Sequence, residues 1–116
     1  MPGMTTDDVI NPYTGETVGQ APRGGFAEID AAIAAAAEAF QSTRRLSAFR
    51  RRTLLRNIAD GIRARAGEFA DLITAEAGKP ITFARAEVAR AIATFTLAAD
   101  ELSRFGGEVL PVDLEE

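Results

Sequence analysis

The five residues EAGKP at positions 76–80 decide how the chain is read, because they set its single lysine between a glycine and a proline. A phosphate-binding loop needs G-x-x-x-x-G-K-[ST] after a strand and before a helix, so that backbone amides cradle phosphate and the hydroxyl holds magnesium. Here the upstream glycine is missing, the preceding residues have helical periodicity, and Pro80 stands where Ser or Thr is required. The other reading is punctuation. Gly78 ends a short helix in the left-handed conformation, Lys79 lies by that helix's negative end, and Pro80 stops continuation while starting the next helix. Lys79 is then structural, and the region reads as helix, stop, helix.

Downstream, the spacing predicts the longest element, a helix from near Pro80 to Phe105 that ends at Gly106-Gly107. Val88, Ile92, Phe95, Ala99 and Leu102 share one face of it. Phe83, Ala86, Ala93 and Leu97 fall on the opposite side together with Arg90, so the helix has two apolar faces and needs cover on both. The remaining elements are too few to supply the second cover. Beyond the glycines, EVLP at 108–111 reads as the start of an extended segment that ends, at Glu116, more like a cut than a natural terminus.

Upstream, a short helix after Gly67 uses Phe69, Leu72 and Ile73, and a longer one capped by Ser47 buries Leu54, Leu55, Ile58 and Ile62. Residues 41–46 form a connector. Before them, Ile29, Ile33, Ala36 and Phe40 make one stripe of a helix from Phe26, with Gly25 as N-cap and Glu28 in the first turn. Nearer the start the period is two. Val9-Ile10 and Glu16-Thr17-Val18 flank NPYTG, where proline fixes one dihedral and Gly15 supplies the reversal, so a β-hairpin is expected, with its second strand stopping at Ala21-Pro22. The organisation is a flexible N-terminus over residues 1–8, then one mainly α unit with an N-terminal hairpin over 9–116, incomplete at its C-terminus.

Composition narrows the chemistry. The 116 residues carry a net charge of −4 and 47% hydrophobic residues, a globular rather than a disordered balance. With no cysteine and no histidine, disulfides, thiolate nucleophiles, zinc fingers and imidazole acid–base catalysis are all excluded within this chain. No cluster of carboxylates stands out as a metal or glycosidase site. The acidic balance argues against nucleic-acid partners. The start MPGMTTDDVI has neither a cationic nor an apolar signal region, and the longest apolar run, residues 31–37, is far below the roughly 20 needed to span a bilayer. A cytoplasmic protein without a membrane role is expected.

Two basic features are weighed against this background. Arg44, Arg45, Arg50, Arg51 and Arg52 form a cluster, but successive helical residues point about 100° apart and no aromatics interleave, so a solvated, salt-bridged helix start is expected rather than a nucleic-acid patch. Arg90 has two readings. Its stem packs on neighbours or its charge pairs with Glu87 one turn away; or its guanidinium lines a cavity wall and recognises a planar anion by paired hydrogen bonds. The sequence pattern does not choose between them.

Taken in order, INPYTGETVGQAP, the alanine-rich AAAEAF, RRTLLRNIADGIRARAGEFADLITAEAGKPI and ARAEVARAIATFTLAADELSRFGGEVLP resemble the N-terminal region of the aldehyde dehydrogenase superfamily, from about Val9 onward. The resemblance implies a piece of the α/β aldehyde dehydrogenase fold, on the side of the cofactor-binding domain. It also implies NAD(P)-dependent oxidation of an aldehyde to an acid, through a thiohemiacetal on a catalytic cysteine and with a glutamate general base. In the family those groups and the NAD or NADP site lie downstream of this stretch. The chain alone is therefore expected to bind no cofactor and to be inactive, with no catalytic residue of its own.

The segment EVARAIATF resembles the branch that acts on small aldehydes bearing phosphate, phosphonate or carboxylate, such as non-phosphorylating glyceraldehyde-3-phosphate dehydrogenases and phosphonoacetaldehyde dehydrogenases. There an arginine in the E-V-x-R position contributes to binding the substrate's anionic group, and Arg90 occupies it. Many members carry a tryptophan after the first helix, where this chain has Ser42-Thr43-Arg44-Arg45; the anion-using branch often has Thr-Arg there. The family is commonly dimeric or tetrameric, so a homo-oligomer is expected of the complete enzyme, with a small aldehyde as its substrate. The alternative is a free-standing helical interaction module derived from the same family, using its apolar faces to bind a partner.

Overall fold

The computed structural model describes residues 5–110 and 112. Strands β1 (Thr5–Ile10) and β2 (Thr17–Arg23) pair antiparallel, and helices α1 (Phe26–Thr43), α2 (Ala48–Ala64), α3 (Ala66–Ala77) and α4 (Ile81–Glu101) follow. The architecture is mainly α behind an N-terminal hairpin, as the periodicities indicate.

The hairpin turn is organised by Asn11. Its Oδ1 accepts hydrogen bonds from the Tyr13 and Thr14 amides at 2.9 and 3.2 Å, and its carbonyl accepts from Gly15 at 2.8 Å. Gly15 takes a φ of 75°, which closes the reversal. The register shifts between Val9 and Ile10, which pair with Gly19 and Thr17, so the bulge falls at Val18.

Two expectations are corrected in this region. Residues 5–8, expected to belong to a flexible start, are part of β1, where Asp7 pairs with Arg23 at 2.7 Å and Asp8 accepts from Gln20 at 2.8 Å. Residues 1–4 lie outside the described residues. The second strand also continues through Pro22 to Arg23 instead of stopping at Ala21-Pro22. In a two-stranded ribbon each strand keeps one unpaired edge, where a residue without an N–H is tolerated.

Helix α1 starts as expected, with Gly25 as N-cap and its amide donating to Glu28 Oε2 at 2.8 Å. It buries none of its residues: Phe26 is 90% exposed and Ile33 62%, so its apolar stripe faces solvent. The helix runs on to Thr43, three residues into the expected connector.

Ser47 caps α2 by accepting a hydrogen bond from the Arg50 amide at 3.3 Å. The break between α2 and α3 falls at Arg65, not Gly67. Arg65 adopts φ −115° and ψ 21°, outside the helical region, while its guanidinium holds Glu68 through two bonds of 2.7 and 2.5 Å across the joint. Gly78 then turns the chain, and α4 runs back along α3 and α2, so that Asp100 near its end receives Arg56 of α2 at 2.6 Å.

The core lies along this return. Ala70 of α3 and Ala84 of α4 are fully buried, Val88 nearly so, and Ile62, Phe69, Ile73, Ile81 and Ile92 close around them. Two alanines at a crossing let the helix axes approach closely, which large side chains would prevent. Val88, Ile92, Phe95, Ala99 and Leu102 do form the packed side of α4, whereas Leu54, Ile58 and Leu72 are about half exposed. The buried side of α2 is turned toward Leu55, Ala59 and Ile62. Helix α4 stops at Glu101, four residues before the expected end, where Ser103 bonds the Asp100 carbonyl through its side chain and its amide. Residues 108–110 are without regular structure and exposed, and Pro111 lies outside the described residues.

The Cα radius of gyration is 20.8 Å. A compact domain of this length has about 13 Å. The excess follows from the packing: α1 and the rest of the hairpin beyond its tip at Pro12 project from the α2–α3–α4 layer, and α4 is covered on one side.

Candidate functional site

The uncovered side of α4 is where the arrangement becomes specific. Phe83 and Leu97 are 65% and 68% exposed on it, with Arg90 between them. The groove beside them, about 460 Å³, is lined by Lys79, Pro80, Phe83, Ala86, Glu87 and Arg90.

Local backbone geometry builds this groove. Gly78 adopts φ 64° and ψ 15°, and its amide bonds the Thr74 carbonyl at 3.0 Å, ending α3 as a left-handed cap. Pro80 opens α4 with φ −56°, its carbonyl accepting from Phe83 and Ala84 at 2.9 and 3.1 Å. The EAGKP motif is thus a helix stop and restart, and no phosphate loop.

Lys79 follows the Gly78 cap at the end of α3, and its Nζ reaches forward to Glu87 Oε1 at 2.5 Å. Arg90 Nη2 lies 3.6 Å from the same oxygen. The hydrogen bond from Lys79, aided by the positive charges of Lys79 and Arg90, holds the Glu87 carboxyl below the usual carboxylate range despite some desolvation. Glu87 is therefore ionised at neutral pH. Two cations share one carboxylate, which leaves one positive charge at the groove, and Arg90, 73% exposed, presents it.

The expected Arg90–Glu87 contact is present, at ion-pair rather than hydrogen-bond distance. What pattern reasoning missed is that Lys79 joins them. The signal lay in the position of the α4 start: once Pro80 begins the helix, a long side chain just before it reaches a carboxylate two turns in. Several other arginines are engaged elsewhere. Arg56 and Arg52 approach Asp100 at 2.6 and 3.9 Å, Arg51 donates to the Arg44 carbonyl at 2.9 Å, and Arg44 lies 5.8 Å from the centre of the Phe40 ring. Among the described residues, no helix is long and apolar enough to cross a membrane, and no group of carboxylates could hold a metal ion.

Residues 2–116 match the model of the aldehyde dehydrogenase family. The chain belongs to the aldehyde dehydrogenase family. It is 39% identical over 106 residues to lactaldehyde dehydrogenase of Methanocaldococcus jannaschii, covering 91% of this chain and 23% of that protein. Aldehyde dehydrogenase 21 of Physcomitrella patens, solved with its reaction product succinate, superposes with a TM-score of 0.93 at 36% identity, over 99% of this chain and 24% of that one. Glyceraldehyde-3-phosphate dehydrogenase of M. jannaschii, solved with NADP, gives 0.90 at 36% identity, over 97% and 25%. The chain spans between a fifth and a quarter of the length of these aldehyde dehydrogenases.

Among the described residues, the features that hold a dinucleotide are not brought together. Such cofactors bind at the C-terminal ends of parallel strands, against a glycine-rich turn opening a helix. The sheet here is a two-stranded antiparallel ribbon, and Gly78-Lys79 caps a helix end instead of opening one at a strand. What these residues offer is the uncovered α4 face with its arginine.

Proposed function

We propose that this chain works as part of a cytoplasmic, NAD(P)-dependent, homo-oligomeric aldehyde dehydrogenase that oxidises a small anionic aldehyde to its acid, with Arg90 contacting the anionic end of the substrate. The balanced reaction converts aldehyde, water and NAD(P)+ into carboxylic acid, NAD(P)H and a proton. The cysteine and cofactor site belong to other segments, since these 116 residues contain no cysteine. The chain by itself is inactive in this reading, and its contribution is structural support plus one charge.

The observation that carries the proposal is the position of Arg90. Its guanidinium stands on an apolar, uncovered helix face with a surplus positive charge, so that apolar cover from further chain would leave a cavity with one fixed cation in its wall. Succinate in the Physcomitrella relative and glyceraldehyde-3-phosphate in the name of the archaeal one are anionic, in keeping with this reading. Lactaldehyde, in the name of another, is neutral, so the charge preference rests on Arg90 and not on the family.

The test is kinetic and uses the complete polypeptide that carries this chain. Arg90→Ala should lower kcat/KM for succinate semialdehyde about tenfold to a hundredfold, the scale of a lost charged hydrogen bond, and much less for butanal. Equal losses for both aldehydes would refute the anion role.

A further inference from the structure

Lys79 and Arg90 compete for one carboxylate oxygen, and the competition is unequal. Lys79 Nζ is 2.5 Å from Glu87 Oε1, a direct charged hydrogen bond between two partly buried side chains. Arg90 Nη2 is 3.6 Å from that oxygen and its side chain is largely in solvent. Carboxylates pair strongly with arginine in a forked geometry, so Glu87 without Lys79 is well placed, one helical turn away, to take Arg90 as its partner. Gly78 in the left-handed conformation and Pro80 flank Lys79, and proline narrows the backbone freedom of the residue before it.

We propose that Lys79 is a positioning residue for the substrate-anion contact: by occupying Glu87 it keeps the Arg90 guanidinium free to bind the anionic group of the substrate. This rests on the proposed role of Arg90 and adds a residue that acts through it. An anion arriving at Arg90 meets a competing carboxylate already neutralised by Lys79, so little of the binding energy is lost to displacing an internal ion pair. Remove the lysine and the internal carboxylate becomes the competitor. Remove the carboxylate as well and the arginine is free again.

The experiment is a mutant cycle in the complete polypeptide, read as the ratio of kcat/KM for succinate semialdehyde to that for butanal. Lys79→Met should lower this ratio about fivefold, the scale of one partly exposed ion pair, through a higher KM for the anionic aldehyde. Glu87→Gln should leave the ratio at or above that of the unaltered protein, and the double variant Lys79→Met/Glu87→Gln should recover it. A purely structural role for Lys79 would not be rescued by removing its partner.

Two results would overturn the inference. An unchanged ratio in Lys79→Met shows that Glu87 does not capture Arg90. A loss that persists in the double variant shows that Lys79 acts otherwise than through Glu87, by touching the anion or by supporting the fold. Arg90→Ala, measured alongside, separates the two proposals: if it lowers the ratio while Lys79→Met does not, the anion contact stands and the positioning role falls. If Arg90→Ala leaves the ratio unchanged, both fall.

Discussion

Gly78 and Pro12 meet so closely that a Cβ built on the glycine would lie 2.8 Å from the proline Cγ. The tip of the N-terminal hairpin therefore rests on the turn that joins α3 to α4, and both motifs that stand out in the sequence, NPYTG and EAGKP, meet at one point.

Gly78→Ala should destabilise the complete polypeptide by about 1–3 kcal/mol, because it combines a side chain at positive φ with that clash. Pro12→Ala/Gly78→Ala should recover the part due to the clash and not the part due to the backbone. Denaturant midpoints of the three proteins measure both parts, and an equal loss in the single and double variants would show that the hairpin tip does not press on the turn.

The crossing of α3 and α4 makes a second prediction. Ala70 and Ala84 are both 0% exposed, so Ala84→Leu must separate the helices or force strained rotamers, at a cost of about 1–3 kcal/mol. The thermal midpoint should fall accordingly. An unchanged midpoint would mean that the two helices are not packed at this distance.

The lowered pKa of Glu87, caused first by the Lys79 hydrogen bond, gives a pH dependence with a definite sign. A carboxyl whose folded pKa lies below its unfolded value, about 4.3, contributes stability that is complete above that value and lost as the pH falls through the folded pKa. Glu87→Gln should therefore lower the thermal midpoint relative to the unaltered protein at pH 7, and the difference should shrink toward pH 3. A difference that grows on acidification would contradict the assigned sign.

Legibility in the sequence followed the physics of each signal. Gly15, Gly78 and Pro80 were readable because positive φ and a fixed φ restrict which residues can stand there, and the structure has them in those roles. The packed side of α4 was readable from its period. The buried alanines were not, because alanine is abundant on every helix face and its burial depends on which helix crosses where. The break at Arg65 was hidden for a similar reason: its geometry is held by the Arg65–Glu68 pair, whereas Gly67, the conspicuous residue, sits inside α3. On the site, Arg90 and its second apolar face were legible from the helical wheel. Lys79 was not, because which carboxylate a long, flexible side chain meets depends on its rotamers and not only on the start of α4 at Pro80.

The contact between Arg90 and the substrate anion is tested most directly by a crystal structure of the complete polypeptide with succinate bound in its active site. The account predicts the Arg90 guanidinium within about 3 Å of a succinate carboxylate, while Lys79 stays on Glu87. A carboxylate held by other residues, with Arg90 paired to Glu87 or left in solvent, would contradict it.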